Sequence, residues 1–566
     1  MKVVIIGGVA GGASAAARLR RLDEQAEIVI LERSGFISYA NCGLPYYIGG
    51  KITEKRALTL QTPESFHRRF GIDVRVYNRA TRVDRAAKTV TVQNMKDGNC
   101  YEESYDCLIL SPGAEPMIPP ISGVDNNKVF TLRNIPDTYR IKEYIEEKRP
   151  ETAMVVGGGY IGIEMAENLA QMGIKVTVAE LADHVITPLD QDMACEVQRY
   201  LRSKGIGLLL KTGVTSLLEK DGRIEAGLSD GEKKTVDLVI LSVGVRPETA
   251  LAKEAGLRLN AKGAILTDAH MRTSDPSIYA VGDAVAIKNY VTGEEGYIPL
   301  AGPANKQGRI AADNICGIES TYRGTQGSSV LKLFDMTVAA TGLNEQAAGQ
   351  AGFKFDKLYL YSPSHATYYP GASNMTIKTI FEKDTGRILG AQIVGFEGVD
   401  KRIDVLATAI RGGMTAYDLT ELELAYAPPF SSAKDPVNMT GFAIENILTG
   451  KVKQYHWHDI QRLPKDGSII MLDVRTDKER KAGYIPGTIH IPLDDLRGHL
   501  QELDPDKPIY VNCLSGLRSY IACRILTQNG FECYNLSGGY RLYETVMGET
   551  GYDMSPRHLC GIKIEE

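Results

Sequence analysis

The chain has 566 residues, a formal net charge of −5 and an isoelectric point near 6.1, a length that exceeds one hydrophobic core and predicts about three or four domains. No basic run or basic-aromatic interleaving occurs, which argues against nucleic acid as a partner, and no apolar run of about eighteen residues occurs, which argues against a membrane span. Met1 leads directly into a strand with no signal peptide, and nine cysteines without a CxxC pair fit free thiols in a reducing compartment. A soluble cytoplasmic protein without a metal site is expected.

The opening KVVIIGGVAGGASAAARLRRLDEQAEIVILER reads as a strand, a glycine turn, a helix and a second strand ending at Glu32. Such a turn lets backbone approach a pyrophosphate at a helix N-terminus, and an acid about twenty residues on takes a ribose hydroxyl. Gly7 and Gly12 hold the first and third glycine places, with Val9 in the second. The run FISYANCGLPYYIGG follows, and its Cys42 stands alone, the next cysteine being Cys100. Asn, Gly and Pro mark a turn and not a core strand, so Cys42 is predicted to be a thiolate working against a redox cofactor. Its partner sulfur comes from outside the chain, leaving a mixed disulfide, a persulfide or a sulfenic acid as the resting or intermediate state.

The glycine pattern recurs in MVVGGGYIGIEMAENLAQMGIKVTVAE, with Gly157, Gly159 and Gly162 in full register and Glu180 closing the second strand. One chain therefore binds two dinucleotides. Glu180 would accept from a 2′-hydroxyl and repel a 2′-phosphate, and no Arg follows it in ELADHVI, so NADH is expected over NADPH. The segments LILSPGAEP (108–116) and LVILSVGVRPE (238–248) read as buried strands ending in glycine turns, and TSDPSIYAVGDA places Asp283 at a strand end. In this order the motifs resemble the two-dinucleotide-binding flavoprotein disulfide reductases. The resemblance implies FAD in the first unit, with Asp283 on its ribityl chain, and NADH in the second.

SYANCGLPYY matches the SxANCxLPY segment of the coenzyme A-disulfide reductases and their NADH oxidase and persulfide reductase relatives, which the chain resembles from residue 1 to about 447. The resemblance implies that the partner sulfur is that of coenzyme A. It also implies phosphate contacts from Ser14, Arg18 and Arg21 on the first helix, Ser38 and Asn41 beside the thiol, and Asn305 in AGPANKQGR at the substrate. Taken by itself, RLRRLD is an ordinary solvated helix end. From about 325 the composition turns to strands and glycine turns, the family's dimerisation domain, whose tyrosines reach the partner subunit's site. HATYYPG and AYAPPFS put these at Tyr368 and Tyr426, with Lys434 near coenzyme A. A phenol there can protonate a leaving thiolate.

NILTGKVKQYHWHDI reads as a polar linker before a small α/β domain. In KPIYVNCLSGLRSYIACRILTQNGF, Cys513 ends a strand and CLSGLR enters a helix; loop N–H groups would form a nest that stabilises a thiolate or persulfide. Arg518 lies one position short of the Cys-x5-Arg spacing of cysteine phosphatases. With LDVRT and GYIPGTIHIP upstream, the domain resembles a single-domain rhodanese, a resemblance that implies that Cys513, in a cradle closed by Arg518, carries sulfane sulfur to or from coenzyme A, while Asp473 and Arg475 brace the fold; Cys523, Cys533 and Cys560 receive no chemistry.

The expected fold is α/β and α+β, multidomain: an FAD domain (1–112 and 240–324), an NAD domain (113–239), a dimerisation domain (325–447), a linker (448–465) and a rhodanese domain (466–566). The expected activity is NADH-dependent reduction of coenzyme A persulfide, polysulfide and coenzyme A disulfide by a homodimer. An NADH oxidase reducing oxygen through a Cys42 sulfenic acid, or a flavin-based redox sensor, shares the same first domains.

Overall fold

The computed structural model describes residues 1–550; Cys560, at the end of the expected rhodanese domain, lies outside the described residues. Two units are formed, one of Met1–Leu181 with Ile206–Gly327, the other of Ala182–Gly205 with the chain from Ser328 onward.

The first unit contains two five-stranded parallel sheets. One has the order Ile278–Ala280, Cys107–Leu110, Lys2–Ile6, Glu27–Glu32, Asp73–Val76. Val3, Val4 and Ile5 are all fully buried, as a parallel sheet covered on both faces requires. The helix Ala10–Leu22 lays Ala15, Ala16 and Leu19 on one face. The second sheet repeats the plan, in the order Gly207–Leu209, Lys175–Ala179, Thr152–Val156, Leu238–Leu241, Val129–Thr131. The two predicted Gly-turn segments each supply a strand, Cys107–Leu110 and Leu238–Leu241. Their continuations, Ala114–Pro116 and Val245–Pro247, then pair as an antiparallel ribbon. The boundary expected between 239 and 240 therefore falls inside a strand, because Leu238–Leu241 completes its hydrogen bonding only with Thr152–Val156 and Val129–Thr131.

The second unit holds an antiparallel sheet in the order Ser329–Leu333, Met336–Gly342, Ile388–Gly395, Asn374–Glu382, Phe355–Pro363. Its helices include Val399–Gly412 and, from the inserted segment, Gln191–Ser203. A parallel sheet of the order Lys453–Tyr455, Cys533–Leu536, Ile509–Asn512, Ile470–Asp473, Ile489–His490 follows. This corrects the expected linker 448–465. Lys453–Tyr455 is the edge strand of that sheet, with Val452 and Tyr455 buried, and Trp457–Arg462 forms a 3-10 turn. The polar composition concealed two buried apolar side chains. No helix among the described residues is long and apolar enough to cross a membrane.

Candidate active site

The two glycine turns share one construction. Gly7 (φ +96°) and Gly157 (φ +104°) open them, and a Cβ at either would stand 2.2 or 2.3 Å from the backbone oxygen of Ser111 or Ser242. At Gly12 and Gly162 a Cβ would meet the carbonyl oxygen of Gly7 or Gly157 at 1.9 or 2.0 Å, so neither turn admits a side chain at these places. Gly159 is different, with nothing within 4 Å of its absent Cβ; its bareness leaves approach room for a ligand. Val9, in the matching place of the first turn, has φ −103°, which any residue adopts. The following helices, Ala10–Leu22 and Tyr160–Gln171, have no side-chain cap and no acid in the first turn, which leaves N–H groups and a positive helix end for a pyrophosphate.

The strand-end acids also anchor the turns. Glu32 Oε2 accepts from the Gly8 amide at 3.1 Å, and Glu180 Oε2 from the Gly158 amide at 2.6 Å. Asp283 sits in the turn Gly282–Ala284, where burial pushes its carboxyl pKa up. The residues present thus fit two dinucleotides, one in each cradle.

Cys42 is exposed, in the single turn Asn41–Gly43 that runs into the short helix Leu44–Ile48. Although the residue reaches solvent, the protein crowded around its thiol, then the carboxylates of Glu164 and Asp283, push its pKa up. The polypeptide alone thus favours the thiol over the thiolate that its position predicts. Beside it, Asn41 Oδ1 is buried without a hydrogen-bond partner, an acceptor that a ligand's donor would satisfy. The Ser38 amide donates to Gly8 O at 2.8 Å, tying this loop to the first glycine turn.

Ser14, Arg18, Arg21, Ser38 and Asn305 line one cleft of about 390 Å³, together with Gln61, Phe66, Phe70 and Arg309. Ser14 Oγ donates to Asn305 Oδ1 at 2.6 Å, and Arg18 Nε to Asp313 Oδ1 at 2.7 Å. Arg20 between them is buried and donates to the carbonyls of Phe70, Asp23, Glu24 and Gly71. The cluster RLRR therefore divides into one bracing arginine and two facing the cleft.

Tyr368, Tyr426 and Lys434 belong to the second unit. The two phenols meet at 2.8 Å between Oη atoms, and both tyrosines are exposed. Arg402, on the helix Val399–Gly412 and 1% exposed, holds their loops together. Its Nη2 lies 2.9 Å from Ser364 O, 3.1 Å from Ser431 Oγ and 3.1 Å from Asp435 Oδ2, and the Ala366 amide donates to Ser431 O at 3.0 Å. Lys434 is exposed on the loop that reaches the helix Pro436–Leu448.

Cys513 follows the strand Ile509–Asn512 and is fully buried, accepting from the Gly516 amide at 3.1 Å and from Ser519 Oγ at 3.2 Å. The predicted nest is present in part. Arg518 instead forks onto Glu479, at 2.6 and 2.8 Å. Asp473 and Arg475 form a buried pair at 2.7 Å, the bracing role expected of them.

Sequence reasoning missed Glu164, which lies on the helix behind the second glycine turn and accepts from Tyr46 Oη at 3.3 Å. Burial pushes its carboxyl up to about 7. Below that pH the group is neutral; above it, the carboxylate opposes ionisation of Cys42. Glu164→Gln is therefore expected to lower the Cys42 pKa, so that iodoacetamide alkylation of Cys42, followed by mass spectrometry, becomes several-fold faster at pH 8 and changes little at pH 6. Coincident pH profiles would show that Glu164 does not govern the thiol.

Comparison with known proteins matches residues 1–308 to the family model described as pyridine nucleotide-disulphide oxidoreductase, 328–436 to its dimerisation domain and 457–545 to a rhodanese-like domain. An NADH oxidase of Methanocaldococcus jannaschii is 38% identical over 78% of this chain and 97% of its own length. A coenzyme A disulfide reductase of Staphylococcus epidermidis is 36% identical over 78% and 99%. Among solved structures, reduced Bacillus anthracis CoADR-RHD aligns with a TM-score of 0.95 at 49% identity, covering 97% of this chain and 98% of that one. An NAD-dependent persulfide reductase from A. fulgidus aligns at 0.90 and 39%, covering 96% and 100%.

Proposed function

Because this chain belongs to the pyridine nucleotide-disulphide oxidoreductases, we propose that it is an FAD-dependent NADH reductase of coenzyme A disulfide and coenzyme A persulfide, with Cys42 as the redox thiol. The observation that carries this reading is the cleft lined by Arg18, Arg21, Ser14, Ser38 and Asn305, on the same loop-and-helix unit as a solitary exposed thiol. A phosphate-bearing thiol on a long arm is the ligand class that needs both. The relatives named coenzyme A disulfide reductase and persulfide reductase support it.

Gly7, Gly12, Glu32 and Asp283 would hold FAD, and Gly157, Gly159, Gly162 and Glu180 would hold NADH. FAD, when bound, supplies the two-electron link between a reduced nicotinamide and a disulfide. Cys42 as thiolate attacks the carbon-bound sulfur of coenzyme A persulfide; the new bond is Cys42–S–S–coenzyme A, and hydrosulfide leaves with the electrons of the broken S–S bond. With coenzyme A disulfide the same attack expels coenzyme A thiolate, which Tyr368 or Tyr426 protonates. The exposed Tyr368, Tyr369, Tyr426 and Phe430 support a dimer in which these phenols serve the partner's thiol.

The M. jannaschii relative named NADH oxidase keeps oxygen reduction as a second reading; the rhodanese-like domain with Cys513 intact favours a sulfur acceptor. Steady-state turnover with coenzyme A persulfide, coenzyme A disulfide and oxygen separates them. NADH is expected to exceed NADPH in kcat/KM at least tenfold, because a 2′-phosphate would face Glu180. Fastest turnover on oxygen would overturn the sulfur reading.

Mixing inactive Cys42→Ser subunits with inactive Tyr426→Phe subunits is expected to restore activity through hybrid dimers holding one intact site. Absence of recovery after confirmed subunit exchange would place both groups in the same subunit's site.

A further inference from the structure

The rhodanese-like domain offers a second sulfur site, and its electrostatics narrow what it takes. A thiosulfate dianion requires net positive charge at the loop that receives it. Arg518 is the single cation in CLSGLR, and its guanidinium is bound in a fork by Glu479, with Nη2 to Oε1 at 2.6 Å and Nη1 to Oε2 at 2.8 Å. Glu479 is itself fixed, accepting from the Thr476 amide at 3.0 Å and Thr476 Oγ1 at 2.9 Å. Its hydrogen bond with Arg518 leads the causes that hold its carboxyl down to about 2, so the pair stays intact across the working pH range.

Two neighbouring arginines are tied to a carboxylate as well. Arg475 and Arg480 both face Asp473, at 2.7 and 3.3 Å. These segments also expose the apolar or aromatic side chains Leu517, Ile521, Tyr484 and Ile489, beside the exposed Asp477, Lys478 and Lys481. Leu517 and Ile521 lie one helical turn apart on Leu517–Gln528, the helix that starts from the cysteine loop.

We propose that Cys513 takes its sulfur from an organic persulfide, which carries at most one charge on the reacting sulfurs and an organic body, and discriminates against thiosulfate, with Glu479 as the specificity-determining residue. This rests on the reading of Cys513 as a sulfur carrier. Cys513 thiolate attacks the terminal sulfur of R–S–SH; the new bond is Cys513–S–SH, the old S–S bond breaks and R–S⁻ leaves, with no net oxidation or reduction. Glu479 does not touch the reacting atoms. It acts by cancelling the charge of Arg518, and replacing it with Gln keeps the shape while releasing that charge.

The test uses full-length protein in a Cys42→Ser background, without NADH, with cyanide as sulfur acceptor, thiocyanate as readout, and glutathione persulfide or thiosulfate as donor. The Cys513→Ser rate is subtracted. The expected result is a kcat/KM for glutathione persulfide at least about 100-fold above that for thiosulfate. Glu479→Gln should raise the thiosulfate value about tenfold and leave the persulfide value within about threefold, and adding Arg518→Gln should reverse the gain. Arg518→Gln alone leaves the Glu479 carboxylate unpaired and should lower thiosulfate use further while leaving the persulfide value within about threefold, a prediction that stands even where Glu479→Gln fails to fold. Equal use of the two donors by the parent protein overturns the proposal, as does a thiosulfate rate that rises with Arg518→Gln alone or ignores Glu479→Gln. Inactivity with every donor overturns the sulfur-carrier reading itself.

Discussion

Cys42→Ser is expected to abolish NADH-dependent reduction of coenzyme A disulfide and persulfide, a loss of at least about a thousandfold, while FAD content and flavin reduction by NADH persist. The residues that would hold the two dinucleotides are the glycine turns, Glu32, Glu180 and Asp283, and the backbone oxygens that confine the turns belong to Ser111 and Ser242. None of these contacts involves the thiol. Serine is nearly isosteric, yet its oxygen has a far higher pKa than sulfur and forms no stable bond to a disulfide sulfur, so covalent capture fails while the loop keeps its shape. Stopped-flow absorbance of the flavin separates the two half-reactions. Retained turnover with sulfur acceptors would transfer the redox role elsewhere, and loss of FAD would show that the loop supports the first cradle through Ser38 and Gly8.

What was legible in the sequence is what a local backbone demands. A glycine at Gly7 or Gly162 is written into the chain because a carbonyl oxygen about 2 Å from the missing Cβ excludes every other residue. The solitary Cys42 was legible for a similar reason, since its Asn-Gly-Pro surroundings declare a turn. The cleft residues came through the resemblance, and the structure gathers Ser14, Arg18, Arg21, Ser38 and Asn305 around one space.

Pairings across long stretches of chain left no such mark. Tyr46 meets Glu164, Arg402 reaches Ser364 and Asp435, and Arg518 reaches Glu479, each partner chosen by tertiary packing. KVKQYHWHDI misled for the opposite reason: its composition is polar, yet Tyr455 and His456 are buried, and Trp457 Nε1 donates to Asp192 at 3.3 Å. Nor does NMTIKTIFE disclose that its lysine is interior. Alternation would put one face of that strand in solvent, whereas Met375 to Phe381 are buried on both.

That lysine is the residue whose loss should damage the fold most. Lys378 is 0% exposed, and its ammonium contacts Asp190 at 2.8 Å, Asp192 at 2.8 Å and Glu345 at 2.5 Å. These three carboxylates converge closely enough to hold a metal ion; Lys378 stands among them, and Lys357 also pairs with Glu345. Burial disfavours all four charges, but the carboxylates outweigh it and push the lysine pKa up, while Lys378 holds Asp192 down to about 2 against its own burial. Tyr359 and Trp457 also donate to Asp192, so the cluster joins the inserted helix, the antiparallel sheet and the segment entering the rhodanese-like domain. Lys378→Met removes the cation that contacts Asp190 and Asp192 and leaves those two buried carboxylates without it while Lys357 still holds Glu345, for which about 3–5 kcal/mol of destabilisation is expected. The pH dependence should invert. In the parent, Asp192 has a folded pKa below its unfolded value, so its contribution is present above about pH 4 and lost as pH falls toward 2. Burial already raises Asp190 in the parent; in Lys378→Met both aspartates are raised, so stability should recover as they protonate on going from pH 7 to pH 5, and adding Asp192→Asn should restore part of it at pH 7. Urea unfolding of the second unit at the two pH values reads this directly; a variant equally stable at both, or as stable as the parent at pH 7, would show that the carboxylates find other compensation.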